Sequence, residues 1–198
     1  EKDFTYVGGI SRFPLALVVH PAFEAKTVKE FLAYARANPG KLNYASPGNG
    51  SPHHLAMEMF KNRTKTFLTH IPYRGAAPAL QDVLAGQVDL MFAAVGNAQA
   101  QIRAGKLKAL GVTSAKRLPA FPDVPAIAEV LPGYESSAWF GLFGPGQMNP
   151  ELAKRLSDAA RQAIATPDVK KRLELEGAVP VGNSPDEFAR FVLSLIHI

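Results

Sequence analysis

The sequence contains no cysteine. This excludes disulfides and thiolate metal ligands, and it suits a secreted or periplasmic bacterial protein without excluding a cytosolic one. It also has no uninterrupted apolar run of the roughly 18 residues that a membrane-spanning helix needs. Charge of one sign is in small excess only, 22 Lys and Arg against 17 Asp and Glu, for a net +5. The basic residues are scattered through helical patterns, which describes a solvated surface and a mild attraction for anions, not a nucleic-acid footprint. The chain opens on Glu1-Lys2-Asp3, with no signal peptide, as a mature or a truncated chain would. Internal repeats and low-complexity segments are lacking.

Enzyme motifs are lacking as well. In Gly48-Asn49-Gly50-Ser51 the serine follows the glycines, so the G-x-S-x-G elbow is not formed. His53 occupies the third position of a would-be G-x-G-x-x-G, and no G-x-x-x-x-G-K-[ST] occurs. Adjacent His53 and His54 point to different sides of a helix and have no carboxylate at ligand spacing, so no metal site is expected. Asp89 beside a strand is compatible with a general base, but a carboxylate there more often caps a loop or binds a ligand group. Tyr73 and Trp139 are compatible with a pocket lining, although core packing is the commoner fate of such aromatics.

What is present is a 198-residue chain, 47% hydrophobic, long enough for one large domain or two small ones. Its most informative stretch is Asn43 to Leu55, NYASPGNGSPHHL. A short apolar strand ends at Tyr44-Ala45, Gly48 and Gly50 permit a tight turn, and Ser51-Pro52 supplies a helix N-cap and first turn. Free backbone N–H groups would then face whatever lies before the turn, with the helix dipole adding roughly 0.3 to 1 kcal/mol for an anion. The alternative is a cap with no ligand, since Ser-Pro opens many helices.

Short apolar runs at Phe4 to Ile10 and Leu15 to Val19 read as two strands separated by Ser11-Arg12-Phe13-Pro14. A capping box at Thr27 to Glu30 opens a helix whose apolar face is Val28, Phe31, Leu32 and Ala35, stopped by Asn38-Pro39-Gly40. The cradle strand and its helix follow, then a strand at Phe67 to Ile71, a helix at Ala77 to Leu84, and a strand at Val88 to Phe92. A helix near Asn97 to Ala104 and a strand at Lys108 to Thr113 complete the alternation. This order predicts an α/β fold with a mostly parallel sheet, whose ligands bind at the carboxyl ends of the strands. The loops Ser46 to Ser51 and Pro72 to Ala76 would share that edge. Proline-rich Ala115 to Tyr134 reads as a surface excursion with a helical turn near Ala126 to Val130. A strand at Ala138 to Phe143 precedes helices capped by Asn149, Thr166 and the Ser184 to Glu187 box.

Taken in order, Tyr44-Ala45-Ser46-x-Gly48-x-Gly50-Ser51-x-x-His54-Leu55, His70-x-Pro72-Tyr73-Arg74-Gly75-x-Ala77-Pro78, Gly86-Gln87-Val88-Asp89 and Gly105-Lys106-Leu107-Lys108-Ala109-Leu110 resemble the Bug-family receptors of tripartite tricarboxylate transporters. Pro122-Asp123-Val124-Pro125, Pro132-Gly133-Tyr134-Glu135, Trp139 with Gly141, and Ser184-Pro185-x-Glu187-Phe188 extend the resemblance from about Phe4 to about Val192. It implies a two-lobed periplasmic binding protein of type II, with one lobe complete and the other partial. Residues 1 to 21 would be part of lobe 1 and a crossover, 22 to 137 the whole of lobe 2, and 138 to 198 a second crossover and the C-terminal part of lobe 1. The opening units of lobe 1 and its glycine-rich ligand loop are not in this sequence.

The resemblance further implies capture of a small organic carboxylate between two lobes and its delivery to the membrane subunits of the transporter. It implies no catalysis, no cofactor, no metal, no nucleic acid and a monomer in the periplasm. The ligand-binding candidates are Ser46, Gly48, Asn49, Gly50 and Ser51 in the first loop and Tyr73, Arg74, Gly75 and Ala76 in the second, with Asp89 the weakest. The alternative reading is the effector-sensing domain of a transcription regulator, which uses the same fold. Three departures stand out. Ala126 replaces a customary capping threonine, Gln147-Met148-Asn149 replaces a Gly-Thr segment, and Leu193 to Ile198 breaks the preceding amphipathic pattern, as a truncated or non-native tail would.

Overall fold

Alternating apolar residues make β1 (Phe4–Val19) one 16-residue strand, not the two strands expected on either side of Ser11 to Pro14. Ser11 and Arg12 pair with Pro180 and Val179, whereas pairing with Ala94 to Leu90 begins at Leu15. Pro14 has no N–H to give, and it falls where the strand exchanges partners. The computed structural model describes residues 3–119 and 121–194. The chain divides into two compact units, Pro14–Ala138 and the segments that precede and follow it.

In the first of these units, α1 (Val28–Ala37) buries Val28, Phe31, Leu32 and Ala35, the stripe its spacing predicts. Thr27 Oγ1 accepts the Glu30 amide, and Glu30 reaches back to the Lys26 amide, one residue beyond an ideal capping box. There follow β2 (Asn43–Ser46), α2 (Pro52–Thr64), β3 (Thr69–Pro72), α3 (Ala76–Leu84), β4 (Leu90–Ala94), α4 (Val95–Arg103) and β5 (Lys108–Val112). The sheet order is β3-β2-β4-β1-β5. β2 runs parallel to β3 and β4, while β1 is antiparallel to both β4 and β5. The sheet is therefore mixed: among β1 to β5, β1 runs against the other four, which are each preceded by a helix that returns the chain in the parallel sense.

Residues of alternate parity leave opposite faces of this sheet. Ala16, Val18, Ala45, Met91 and Ala93 pack with Ala79, Val83 and Ala98 of α3 and α4. On the other face, Phe60 of α2 meets Phe31, Phe92 and Tyr134 at ring separations of 6.1, 6.1 and 5.8 Å. The buried Tyr134 hydroxyl donates to the Ala56 carbonyl at 2.9 Å. Full burial of each such side chain contributes on the order of 1.5–3 kcal/mol. The expected surface excursion is anchored more firmly than its prolines suggest, because Phe121, Ala126, Ile127 and Tyr134 are all buried. At its 3-10 turn (Ile127–Glu129), Glu129 accepts the Ala126 amide at 2.9 Å, which offsets the cap lost with threonine.

The second unit holds β6 (Ser137–Pro145), α5 (Pro150–Ala165), α6 (Pro167–Leu175), β7 (Val179–Pro180) and α7 (Pro185–Ser194). Phe188 of α7 packs against Tyr6, Trp139 and Phe143 at 6.1, 5.7 and 5.0 Å. A Cβ on Gly141 would fall 2.1 Å from the Phe188 ring, which is why glycine stands there. Asn149 caps α5 through the Glu151 and Leu152 amides, and Ser184 and Glu187 form the reciprocal box of α7. Thr166 does not cap α6; its hydroxyl turns back to the Ala163 carbonyl. Leu193 and Ser194 end α7, and the rest of the suspected tail, 195 to 198, lies outside the described residues, as do Glu1 and Lys2.

Apolar side chains stay exposed in this unit, among them Phe4, Phe140 and Leu175 at 61% each, and α6 buries none of its residues. Local opening is easiest where burial is least. Limited trypsin digestion is thus expected to cut first at Lys170, Lys171 or Arg172, leaving Pro14–Ala138 resistant. A first cut between residues 28 and 112 would show that burial does not order the two units' stabilities.

Candidate functional site

Parallel pairing of β2 with β3 in the register Ser46↔Pro72 brings the loops after both strands to one edge of the sheet. Two backbone bonds then continue the ladder beyond the strands: the Tyr73 amide donates to the Ser46 carbonyl at 2.9 Å, and the Gly75 amide to the Pro47 carbonyl at 3.2 Å. The structure thus brings together Ser46, Gly48, Asn49, Gly50 and Ser51 with Tyr73, Arg74, Gly75 and Ala76. It does not bring Asp89 to them. Asp89 precedes β4 at the opposite, amino edge, where its Oδ2 accepts the Asn43 amide at 2.7 Å and fixes the start of β2.

Within the first loop, most amides already have partners. Gly48 N–H donates to Ser46 Oγ at 3.1 Å, Ser51 N–H to the Gly48 carbonyl at 3.3 Å, and Gly50 N–H to His54 Nδ1 at 3.0 Å. Ser51 Oγ accepts the His54 amide at 3.3 Å, the N-cap the sequence predicts, and Pro52 takes the first helical position. The expectation of a row of free donors is corrected accordingly at Gly48, Gly50 and Ser51, whose amides already have internal acceptors. Gly50 has φ +74°, and a Cβ built on it meets nothing within 4 Å, so its side faces open space. Asn49 and Gly50 are exposed, whereas Ser46 is buried.

In the second loop the Tyr73 hydroxyl donates to Asp82 Oδ2 at 2.6 Å. Partial burial and that carboxylate push the phenol up to about 12. The hydroxyl is committed to α3, while Arg74 is exposed and makes no ion pair among the described residues. Gly75, at φ +123°, begins α3, and no side chain caps that helix. Nor does a side chain cap α4, which starts at Val95 directly after β4. Since β4 is parallel to β2, the amino ends of α2, α3 and α4 all open at one sheet edge. The sequence reading starts this helix near Asn97, whereas α4 begins two residues earlier with Ala94, a residue without a capping side chain, at its N-cap.

Sequence reasoning also missed the group behind the first loop. The His54 and His70 rings stack at 4.2 Å with 12° between their planes, and Tyr44 stacks on His70 at 4.7 Å. His70 Nε2 lies 2.6 Å from Ser46 Oγ. Glu58 Oε1 accepts from the Tyr44 hydroxyl and from Lys61 Nζ, both at 2.6 Å, and lies 3.9 Å from His54 Nε2. Burial opposes ionisation of Glu58, but the bonds from Lys61 and Tyr44 outweigh it and hold its carboxyl below the usual range. Burial first, and the neighbouring His54 second, hold His70 below an ordinary imidazole. His53 has both ring nitrogens buried without a partner among the described residues, and burial lowers its pKa also. No group of three or more metal-ligating side chains occurs among the described residues. The arrangement can hold an anion, and the hydroxyl that stands beside its imidazole, Ser46 Oγ at 2.6 Å from His70 Nε2, has no exposure to solvent. The hydroxyl of Ser46 is buried and already bonded to Gly48 as well as to His70.

Removing the Asp89 carboxylate leaves the Asn43 amide unsatisfied, so Asp89→Ala is expected to lower the unfolding free energy by about 1–3 kcal/mol in urea titration. The amide resonances of Ser46 to Ser51 should not move. A shift of those resonances without loss of stability would return Asp89 to the ligand edge.

Comparison with known proteins follows from this geometry. The family model described as the tripartite tricarboxylate transporter family receptor matches residues 1–196. A UPF0065 protein from the tcbD-tcbE intergenic region of Pseudomonas sp. strain P51 is 39% identical over 191 residues, covering 96% of this chain and 57% of that protein. Among solved structures, Rpa4515 of R. palustris with adipate superposes with a TM-score of 0.92 at 34% identity, over 98% of this chain and 65% of that one. MatC of Rhodopseudomonas palustris with bound malate gives 0.86 at 34% identity, over the same shares. The chain therefore spans about three fifths of the length of these relatives. The α/β architecture is that of type II periplasmic binding proteins, and nothing in these matches supports the regulator reading.

Proposed function

Because the chain belongs to the tripartite tricarboxylate transporter receptor family, we propose that it is the greater part of a receptor that captures a small organic carboxylate in the periplasm. Such a receptor presents its ligand to the membrane subunits of a tripartite tricarboxylate transporter and performs no chemistry on it. The observation that carries the reading is the convergence of the α2, α3 and α4 amino ends at one sheet edge, two of them without side-chain caps. Uncapped helix termini present backbone donors and positive dipole ends, a ready recognition surface for carboxylate oxygens. Relatives solved with adipate and with malate support the ligand class. Pro14–Ala138 is one lobe in this reading, carrying Ser46 to Ser51 and Tyr73 to Ala76 as contact loops, and the other unit is part of the second lobe.

Malate and adipate are expected to bind, as followed by calorimetry and, where weak, by amide shifts at millimolar ligand. The 198-residue chain should hold them more weakly than a receptor of the relatives' full length, since a two-lobed site takes donors from both walls. Gly50→Val should abolish binding, because a branched side chain would fill the open space before the loop and strain a φ of +74°. Ser51→Ala should cost about 0.5–2 kcal/mol of stability through the lost cap. Absence of shifts in the loops at millimolar malate and adipate would overturn the reading, as would unchanged affinity in Gly50→Val.

Arg74 is the exposed cation of the second loop and suits the second carboxylate of a dicarboxylate. Arg74→Gln should then weaken malate and adipate binding by tenfold or more while leaving a monocarboxylate unchanged. Equal losses for both classes, or none, would remove Arg74 from specificity.

A further inference from the structure

Gly50 is exposed and faces open space, and its amide is occupied by an acceptor from its own chain, His54 Nδ1 at 3.0 Å. A nitrogen that accepts carries no proton, so a neutral His54 bears its proton on Nε2, the side of Glu58 Oε1 at 3.9 Å. An anion oxygen that takes the Gly50 N–H must displace Nδ1. The freed lone pair and the anion's oxygen then face the same point, which is repulsive unless a proton lies between them. A proton on Nδ1 converts that repulsion into a charge-assisted hydrogen bond.

On the carboxylate reading above, we propose that ligand entry displaces His54 from Gly50 and draws one proton from solvent onto His54 Nδ1, so that capture is proton-linked and His54 is a positioning residue of the site. The surroundings allow one such charge. His54 faces Glu58 and, through it, Lys61 on its own helix; Tyr44 on β2; and His70 on β3. Glu58 is the anion that receives the new imidazolium, though Lys61 and the Tyr44 hydroxyl already share it. His70 stacks at 4.2 Å, so a second charge there is opposed by the first. Its burial opposes that charge independently. His70 therefore remains the neutral brace that holds Ser46 Oγ at 2.6 Å.

Linkage fixes the sign: a process that takes up one proton weakens by about tenfold per pH unit once the free imidazole is neutral. The test uses the full 198-residue chain with malate as the probe, titrated at pH 6.0 and 8.0 while the Gly50 amide and the His54 ring nitrogens are followed by NMR. Affinity should be more than tenfold higher at pH 6.0, and malate at pH 8.0 should turn Nδ1 of His54 from acceptor to protonated donor. His54→Phe keeps a ring against His70 and should bind malate with a flattened pH profile. Because a variant can misfold, the wild-type chain supplies a second readout: without ligand, the Gly50 amide shift must follow His54 protonation, and calorimetric heats must vary with buffer ionisation enthalpy. Malate binding with no pH dependence, or with the same dependence in His54→Phe, sinks the proton linkage and leaves the receptor reading standing. No malate binding at either pH sinks both.

Discussion

Two backbone hydrogen bonds, Tyr73 to Ser46 and Gly75 to Pro47, hold the site together. They prolong the β2–β3 ladder past the last paired side chains, so that two loops which would otherwise move independently form one continuous edge. Everything local depends on this: Ser46 is placed to receive the Gly48 amide, and Gly75 is placed to begin α3 facing the same way as α2. Parallel pairing with β4 adds the third helix terminus. The edge is thus a product of sheet topology, and side chains refine it without creating it.

Legibility from the sequence follows the same division. The α1 stripe, the Ser51 and Asn149 caps and the shared edge of the two loops were readable, because spacing and cap chemistry are local signals. The strand through Pro14 was not, since a proline reads as a break unless the exchange of partners around it is known. The reversed direction of β1 was equally hidden, because the alternation of strands and helices carries no signal for the sense in which a strand pairs with neighbours distant in the chain. Asp89 was misplaced by a question of edge: one residue before β4 puts it at the amino end of the sheet, opposite the loops. Thr166 had the right residue type for a cap and turned its hydroxyl the other way.

The histidine stack was beyond sequence reasoning for a further reason. His54 and His70 stand on different elements, 16 residues apart in the chain, and only the β2–β3 pairing and the rise of α2 over it bring their rings face to face. Considered as a dipeptide, His53-His54 invites a metal argument, yet no group of three or more ligating side chains occurs among the described residues. Considered in the fold, the two rings have separate roles. His54 engages the loop and the stack, while the half-buried His53 has both ring nitrogens buried without a partner among the described residues. A buried imidazole in that state costs free energy, and nothing in the packing around it shows what offsets the cost.

A loop that satisfies its own donors before any ligand arrives has consequences for binding. An open row of unpaired amides would be shielded by water and flexible, and a ligand would have to order it as well as fill it. Here Ser46 Oγ, the Gly48 carbonyl and His54 Nδ1 accept from the Gly48, Ser51 and Gly50 amides, so the loop is ordered by its own bonds, and in the proposed receptor a ligand would not have to order it. Exchanging one neutral acceptor for a carboxylate oxygen gains the difference between a neutral hydrogen bond and a charge-assisted one, the latter roughly twice as strong. That gain does not depend on what lies beyond the carboxylate. In the proposed receptor the backbone edge would meet the carboxylate alone, so selection among carboxylates would fall to side chains exposed beside it, Asn49 and Arg74 on the two loops and Asn97 in the first turn of α4.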